Sequence, residues 1–146
     1  MKTILFISIS ILLSIPFIAH TQESKKINKD LENISGQYAE CTAYYELVSY
    51  ALKSSNDPKT ADAYSGLGNK AMFYSLLLAN EGRSKDVAIQ VTNSRIDMYK
   101  KKMKQEADNK NENISILINK YHFGCQELME KPSSQLESIL KIKLTN

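Results

Sequence analysis

The chain has 146 residues, with 19 lysines and arginines against 16 aspartates and glutamates and a formal net charge of +3 at pH 7. That length suits one domain with one core, and so even a balance gives no case for a nucleic-acid partner, which needs a strongly basic face. Two cysteines, two histidines and no tryptophan leave few residues from which to assemble a metal or acid–base site.

Lys2 supplies a positive start, and Thr3 to Ile15 is an apolar run the length of a secretory h-region, too short to span a bilayer. Pro16 breaks it, and Ala19-His20-Thr21 places small residues at the two positions a signal peptidase reads. Residues 1–21 are therefore expected to be a signal peptide cut before Gln22, leaving residues 22–146 as a single helical domain. Lys2 is the only lysine, arginine or acid lost, so 18 basic and 16 acidic side chains remain. No cysteine follows the apolar run to indicate a lipid anchor, and no transmembrane segment is expected after cleavage. A composition rich in lysine, asparagine and isoleucine points to a bacterial periplasmic or secreted chain.

Leu31, Ile34, Tyr38, Cys41, Tyr45, Val48 and Leu52 recur at steps of three and four, which is one face of a helix. Glu32, Gln37, Glu40, Glu46 and Ser49 fall on its other faces, so it reads as amphipathic, with Asp30 at the positive end of its dipole and Gly36 as its weak point. Asp57-Pro58 then serves as N-cap and first residue of a second helix reaching about Asn80. Its apolar stripe, Tyr64, Leu67, Ala71, Tyr74 and Leu78, is widened by Met72, Phe73 and Leu77, which predicts a well-buried element. Gly66 and Gly68 within it suggest the close approach of another helix, or a kink.

Gly82 has the place of a left-handed C-terminal glycine, and Ser84 that of the next N-cap. Helices two and three are thus expected to form a tight antiparallel pair. The third, about Lys85 to Ala107, offers two candidate inner lines, one through Val87, Ala88, Val91, Arg95, Met98 and Lys102 and its neighbour through Ile89, Thr92, Ile96, Tyr99 and Met103. It ends in the lysines Lys100, Lys101, Lys102 and Lys104. After a polar run, a fourth helix from about Asn113 carries Ile114, Leu117, Ile118, Tyr121, Cys125 and Leu128 on one side, and Pro132 ends it. Ser134 and Glu137 form a capping-box pattern for a short fifth helix with Leu136, Ile139, Leu140 and Leu144. No segment alternates as a strand does. The expected fold is all-α, a small antiparallel four-helix bundle with a short fifth C-terminal helix.

Cys41 and Cys125 both face inward on their helices, and in an oxidising compartment they read as one disulfide stapling the first helix to the fourth. Neither lies in a Cys-x-x-Cys motif or beside a positive group that would activate a thiol. His122 is the only histidine after residue 21 and stands off the main stripe. With Met72, Met98, Met103 or Met129 it is the one candidate for haem or copper ligation, but methionines at helical spacing read first as core, so no cofactor and no metal is expected. Asn33-Ile34-Ser35 and Asn113-Ile114-Ser115 match the glycosylation acceptor, relevant only to a eukaryotic secretory route.

With one histidine and no paired-acid or nucleophile pattern, an enzyme is not expected. The leading expectation is a protein-binding module, such as an inhibitor, an immunity protein or a small chaperone, whose partner is another envelope or secreted protein. The alternative is a helical bundle carrying a small ligand or haem. Tyr44 and Tyr50, off the main stripe, and Lys100, Lys101 and Lys104 are the candidate partner contacts, the tyrosines because surface tyrosine favours binding patches and the lysines as a run that could meet an anionic lipid or glycan.

Overall fold

The computed structural model describes residues 28–144, with the side chains of residues 28–142. The expected signal segment and its cleavage point lie outside them. Five α-helices make up the fold: α1 (Lys29–Ser54), α2 (Pro58–Ala79), α3 (Lys85–Glu106), α4 (Ile114–Glu130) and α5 (Ser134–Leu144), with a turn of 3-10 helix, Asn111–Asn113, leading into α4. The described residues contain no strand.

Local chemistry sets the helix ends. The Asn28 side chain accepts from the Asp30 N–H at 2.9 Å, and Asp57 Oδ1 accepts from the Thr60 N–H at 3.2 Å with Pro58 in the first turn. Gly82 takes a φ of 101° beyond the end of α2, as a glycine placed there should. Ser84 starts α3 without a side-chain cap bond. The start of α5 differs from the expected capping box: Ser133 Oγ accepts the Leu136 N–H at 3.3 Å, while Ser134 Oγ turns to Gln135. Ser133 stands three residues before Leu136, the spacing at which an N-cap side chain accepts the N3 N–H.

The helix at the centre is α1, and this departs from the amphipathic reading. Between Tyr38 and Tyr45 every residue except Glu40 is buried. A helix buried all round needs neighbours on all sides, and α2, α3 and α4 all pack on it. Small hydroxyl residues make this tolerable. Ser35 Oγ donates to Ser75 O at 3.0 Å and Ser75 Oγ returns a bond to Ser35 O at 2.9 Å, Ser49 Oγ donates to Ala61 O at 2.8 Å, and Thr42 Oγ1 donates to Tyr38 O at 2.9 Å. Each of these four hydroxyls thus has a backbone acceptor and admits a neighbouring helix at close range, whereas the buried Thr92 hydroxyl of α3 has no hydrogen-bond partner among the described residues.

The same pairs orient α2, whose numbering falls as that of α1 rises. At the crossing a Cβ on Gly68 would lie 3.4 Å from Tyr45 Cβ, so Gly68 is the close approach expected of one of the two glycines. Gly66 faces open space. Against expectation, α2 leaves Phe73 and Leu67 exposed and is less enclosed than α1.

The expected tight pairing of α2 with α3 gives way to packing of α3 mainly on α1. Glu32 in α1 is the reason at one end: Arg83, in the α2–α3 turn, reaches its carboxylate at 2.6 Å and Arg95 of α3 holds the other oxygen while also donating to Ser35 Oγ at 3.3 Å. Of the two candidate lines on α3, the one through Thr92, Ile96 and Met103 faces the core, joined by Ala88. Leu117, Tyr121, Cys125 and Met129 turn α4 inward, and Leu136 brings α5 onto the core beside α2.

Candidate functional site

Three rungs join α1 to α4. Tyr38 Oη donates to Leu128 O at 3.2 Å, Cys41 is bonded to Cys125 with Cα atoms 5.4 Å apart, and Tyr44 Oη lies 3.2 Å from His122 Nδ1. Each step of three along α1 meets a step of three back along α4, so the helices run in opposite senses with matched registers. Both cysteines are engaged in this bond, and neither is a free thiol.

Tyr44 corrects the expectation of an exposed contact, because it is fully buried. Its ring meets those of Tyr45, Tyr64, Tyr121 and His122 at centroid separations of 5.0 to 6.5 Å. Burial first, and then its bond with Tyr64, push the Tyr44 hydroxyl far above its ordinary range. His122 does not stand apart either: it is half-buried against Tyr44 and Tyr64. Met103 and Met129 fill the core and Met98 is exposed. No group of three histidine, cysteine or carboxylate side chains is placed to hold a metal among the described residues.

The remaining candidates converge elsewhere. Tyr50, at 63% exposure, lines a groove with Lys100 and Lys104, bounded by the C-terminal half of α1, the last turns of α3 and the connection into α4. The groove measures about 660 Å³, within the size range of clefts that bury a ligand of several side chains. Leu47, Ala107, Ile114 and Leu117 supply its apolar wall, and Lys110 adds a third cation to its rim. Lys101 is exposed outside it.

Its electrostatics follow from the pairing of each lysine. Lys100 is paired with Glu46 inside the groove. Lys104 and Lys110 make no ion pair among the described residues. Three carbonyls at the end of α3 are already engaged: Asn109 N donates to Lys104 O at 2.7 Å, Asp108 N to Gln105 O at 3.1 Å, Lys110 N to Ala107 O at 2.9 Å, and Asn113 Nδ2 to Ala107 O at 3.2 Å. The left-handed Asp108 and Asn109 make these closures. Across the groove the first turn of α4 begins without a side-chain cap bond, so its positive end also faces this region.

No protein family model, characterised protein or solved structure matches this chain.

A second groove, about 540 Å³, runs over the disulfide between Glu40, Lys120, Glu127 and Lys131. Its charges alternate and largely cancel: Lys102 reaches Glu40, Lys131 reaches Glu127, and Glu106 binds both Lys120 at 2.8 Å and the Tyr121 hydroxyl at 2.9 Å. The Lys120 hydrogen bond is the main cause holding the Glu106 carboxyl below the usual carboxylate range. Glu106 thereby ties α3 to α4 and Lys102 ties α3 to α1, and the pairs together leave little unopposed charge for a partner.

Of the partner residues expected from sequence, Tyr50, Lys100 and Lys104 therefore share one site, Tyr44 belongs to the core, and Lys101 stands apart. Lys110, Leu47 and Ile114 are the additions. Lys110 lies in a polar run whose fold back onto α1 has no local signal, while Leu47 sits one position from Val48 on the core stripe.

Proposed function

We propose that this chain is an exported protein-binding module acting in the periplasm or outside the cell, and that the groove beside Tyr50 is its contact surface. One observation carries the reading: an exposed tyrosine, an apolar wall and two lysines without an ion pair among the described residues meet on a concave surface held by the ends of three helices. Interfaces are anchored by aromatic and apolar side chains within a polar rim. The three rungs between α1 and α4 supply rigidity, which lowers the ordering cost of association. The action is occlusion or holding of a partner rather than catalysis, since the two cysteines and His122, the most reactive groups described, are engaged in the core.

The test is site-directed photo-cross-linking in the envelope fraction of the producing cell. A probe at position 50 is expected to capture a distinct protein that a probe at Asn69, on the exposed face of α2, does not. Equal capture from both positions, or none from position 50, sinks the reading.

A further inference from the structure

We infer that the partner presents an acidic segment in which carboxylates flank an aromatic or leucine side chain, the apolar group seating against Leu47, Ile114 and Leu117 and the carboxylates meeting Lys104 and Lys110. This rests on the protein-binding reading and specifies the chemistry of the ligand.

Four features of the groove point the same way. Leu117 is buried and Ile114 and Leu47 are half-buried, so the wall is part of the core edge and holds its shape without a ligand. Among the described residues Lys104 and Lys110 have no carboxylate within ion-pair distance, and Lys104 O, Gln105 O and Ala107 O at the end of α3 already accept from backbone N–H groups and Asn113. Two cations without counter-charges beside an apolar wall complement an acidic, apolar segment. The uncapped first turn of α4 adds partial positive charge on the same side. Asn109 and Asn111 line the groove as well, and their amides offer both donors and acceptors to a peptide backbone.

Opposing charges are few. Glu46 lies in the groove but is neutralised by Lys100. Asp108 and Glu112 belong to the same connection and do not line it. An anionic membrane fits less well, since a flat, phosphate-dense surface reaches the rim without using the apolar wall and meets the Glu46 carboxylate. A protein segment can place its charges to either side of that residue.

The experiment is fluorescence anisotropy with the oxidised chain and three labelled peptides of about 12 residues, a length that spans such a groove when extended. One peptide alternates Asp or Glu around a central Phe-Leu pair, one keeps the acids and replaces Phe-Leu with Gly-Ser, and one keeps Phe-Leu and replaces the acids with Lys. Vesicles of anionic phosphatidylglycerol form a fourth arm. The acidic-apolar peptide is expected to bind tightest, to weaken as salt rises, and to lose about tenfold in affinity on the double change Lys104→Glu and Lys110→Glu. Lys59→Glu on the exposed start of α2 serves as the charge control and is expected to leave binding unchanged.

Equal binding of the basic peptide, or indifference to the double change, overturns the inference, as does vesicle binding without peptide binding. The substituted lysines are exposed and carry no ion pair among the described residues, so circular dichroism is expected to show an unchanged fold. A protein captured from position 50 regardless of the double change would leave the binding module standing and reject this ligand chemistry. Failure of capture itself rejects the module.

Discussion

The Tyr44 hydroxyl sits 3.2 Å from Nδ1 of His122, one helical turn along from the Cys41–Cys125 bond. A hydrogen bond and a covalent bond thus fix the same register between α1 and α4, and the tyrosine's ring contacts extend that junction to Tyr64 of α2. Changing Tyr44 to Phe keeps the ring and removes the hydroxyl. The expected loss is about 1 kcal/mol, the usual net worth of one hydrogen bond, whereas Tyr44→Ala is expected to cost about 3 to 5 kcal/mol by emptying a fully buried aromatic site. Urea unfolding of the two variants checks both values, and equal losses would show that the ring contributes nothing beyond the hydroxyl.

The disulfide closes a loop of 84 residue steps. In the chain-entropy account a loop of that length restricts the unfolded state by about 4 to 5 kcal/mol, a large share of what a domain of this size retains. Reduced protein, or the paired change Cys41→Ala and Cys125→Ala, is expected to unfold at much lower denaturant. Thiol titration of the denatured, unreduced protein should find no free thiol, and two titrating thiols would contradict the bond.

Alkaline pH is expected to unfold the domain through its tyrosines. Burial, as the main cause, pushes the hydroxyls of Tyr38 and Tyr45 up to about 12 from an ordinary 10. The unfolded chain releases these protons first, so above pH 10 it binds fewer protons than the folded one and stability falls as pH rises. The contribution is complete below pH 10 and disappears progressively as pH climbs from 10 to about 12. Each such group removes up to about 1.4 kcal/mol per pH unit in that window. Denaturant midpoints measured from pH 8 to 12 should stay level and then drop. A midpoint unchanged across the window would mean that these hydroxyls titrate while still folded.

The two glycines of α2 are expected to behave differently. A methyl group on Gly66 meets open space, so Gly66→Ala should stabilise by about 0.5 to 1 kcal/mol through helix propensity. At Gly68 the added Cβ meets the Tyr45 side chain at 3.4 Å, and anything larger must push α1 away. Gly68→Val is therefore expected to destabilise by about 1 to 3 kcal/mol, as overpacking does. Thermal unfolding of both variants tests the pair, and a shift of the same sign at the two positions would contradict this geometry.

Helix boundaries and the class of fold are readable in the sequence because caps, proline, glycine and three-four periodicity are local signals. Asp57-Pro58 and Gly82 act where their chemistry says they should. The cysteine pairing is readable too, since the sequence holds two cysteines, both on inward-facing stripes, and they have only each other. Part of the groove is also present in sequence as an off-stripe tyrosine and a lysine-rich helix end.

The central position of α1 is a product of tertiary packing. Periodicity counts Ser35 and Ser49 as polar, yet each hydroxyl finds a buried carbonyl once α2 is in place, and no pattern along the chain encodes that acceptor. Tyr44 was buried by the same mechanism, through a histidine 78 residues away. Lys110 joins Lys104 and Tyr50 only because two left-handed residues fold the α3–α4 connection back toward α1. Local physical chemistry therefore settles which segments are helices, whereas long-range hydrogen bonding and packing settle which of their faces stay open to a partner.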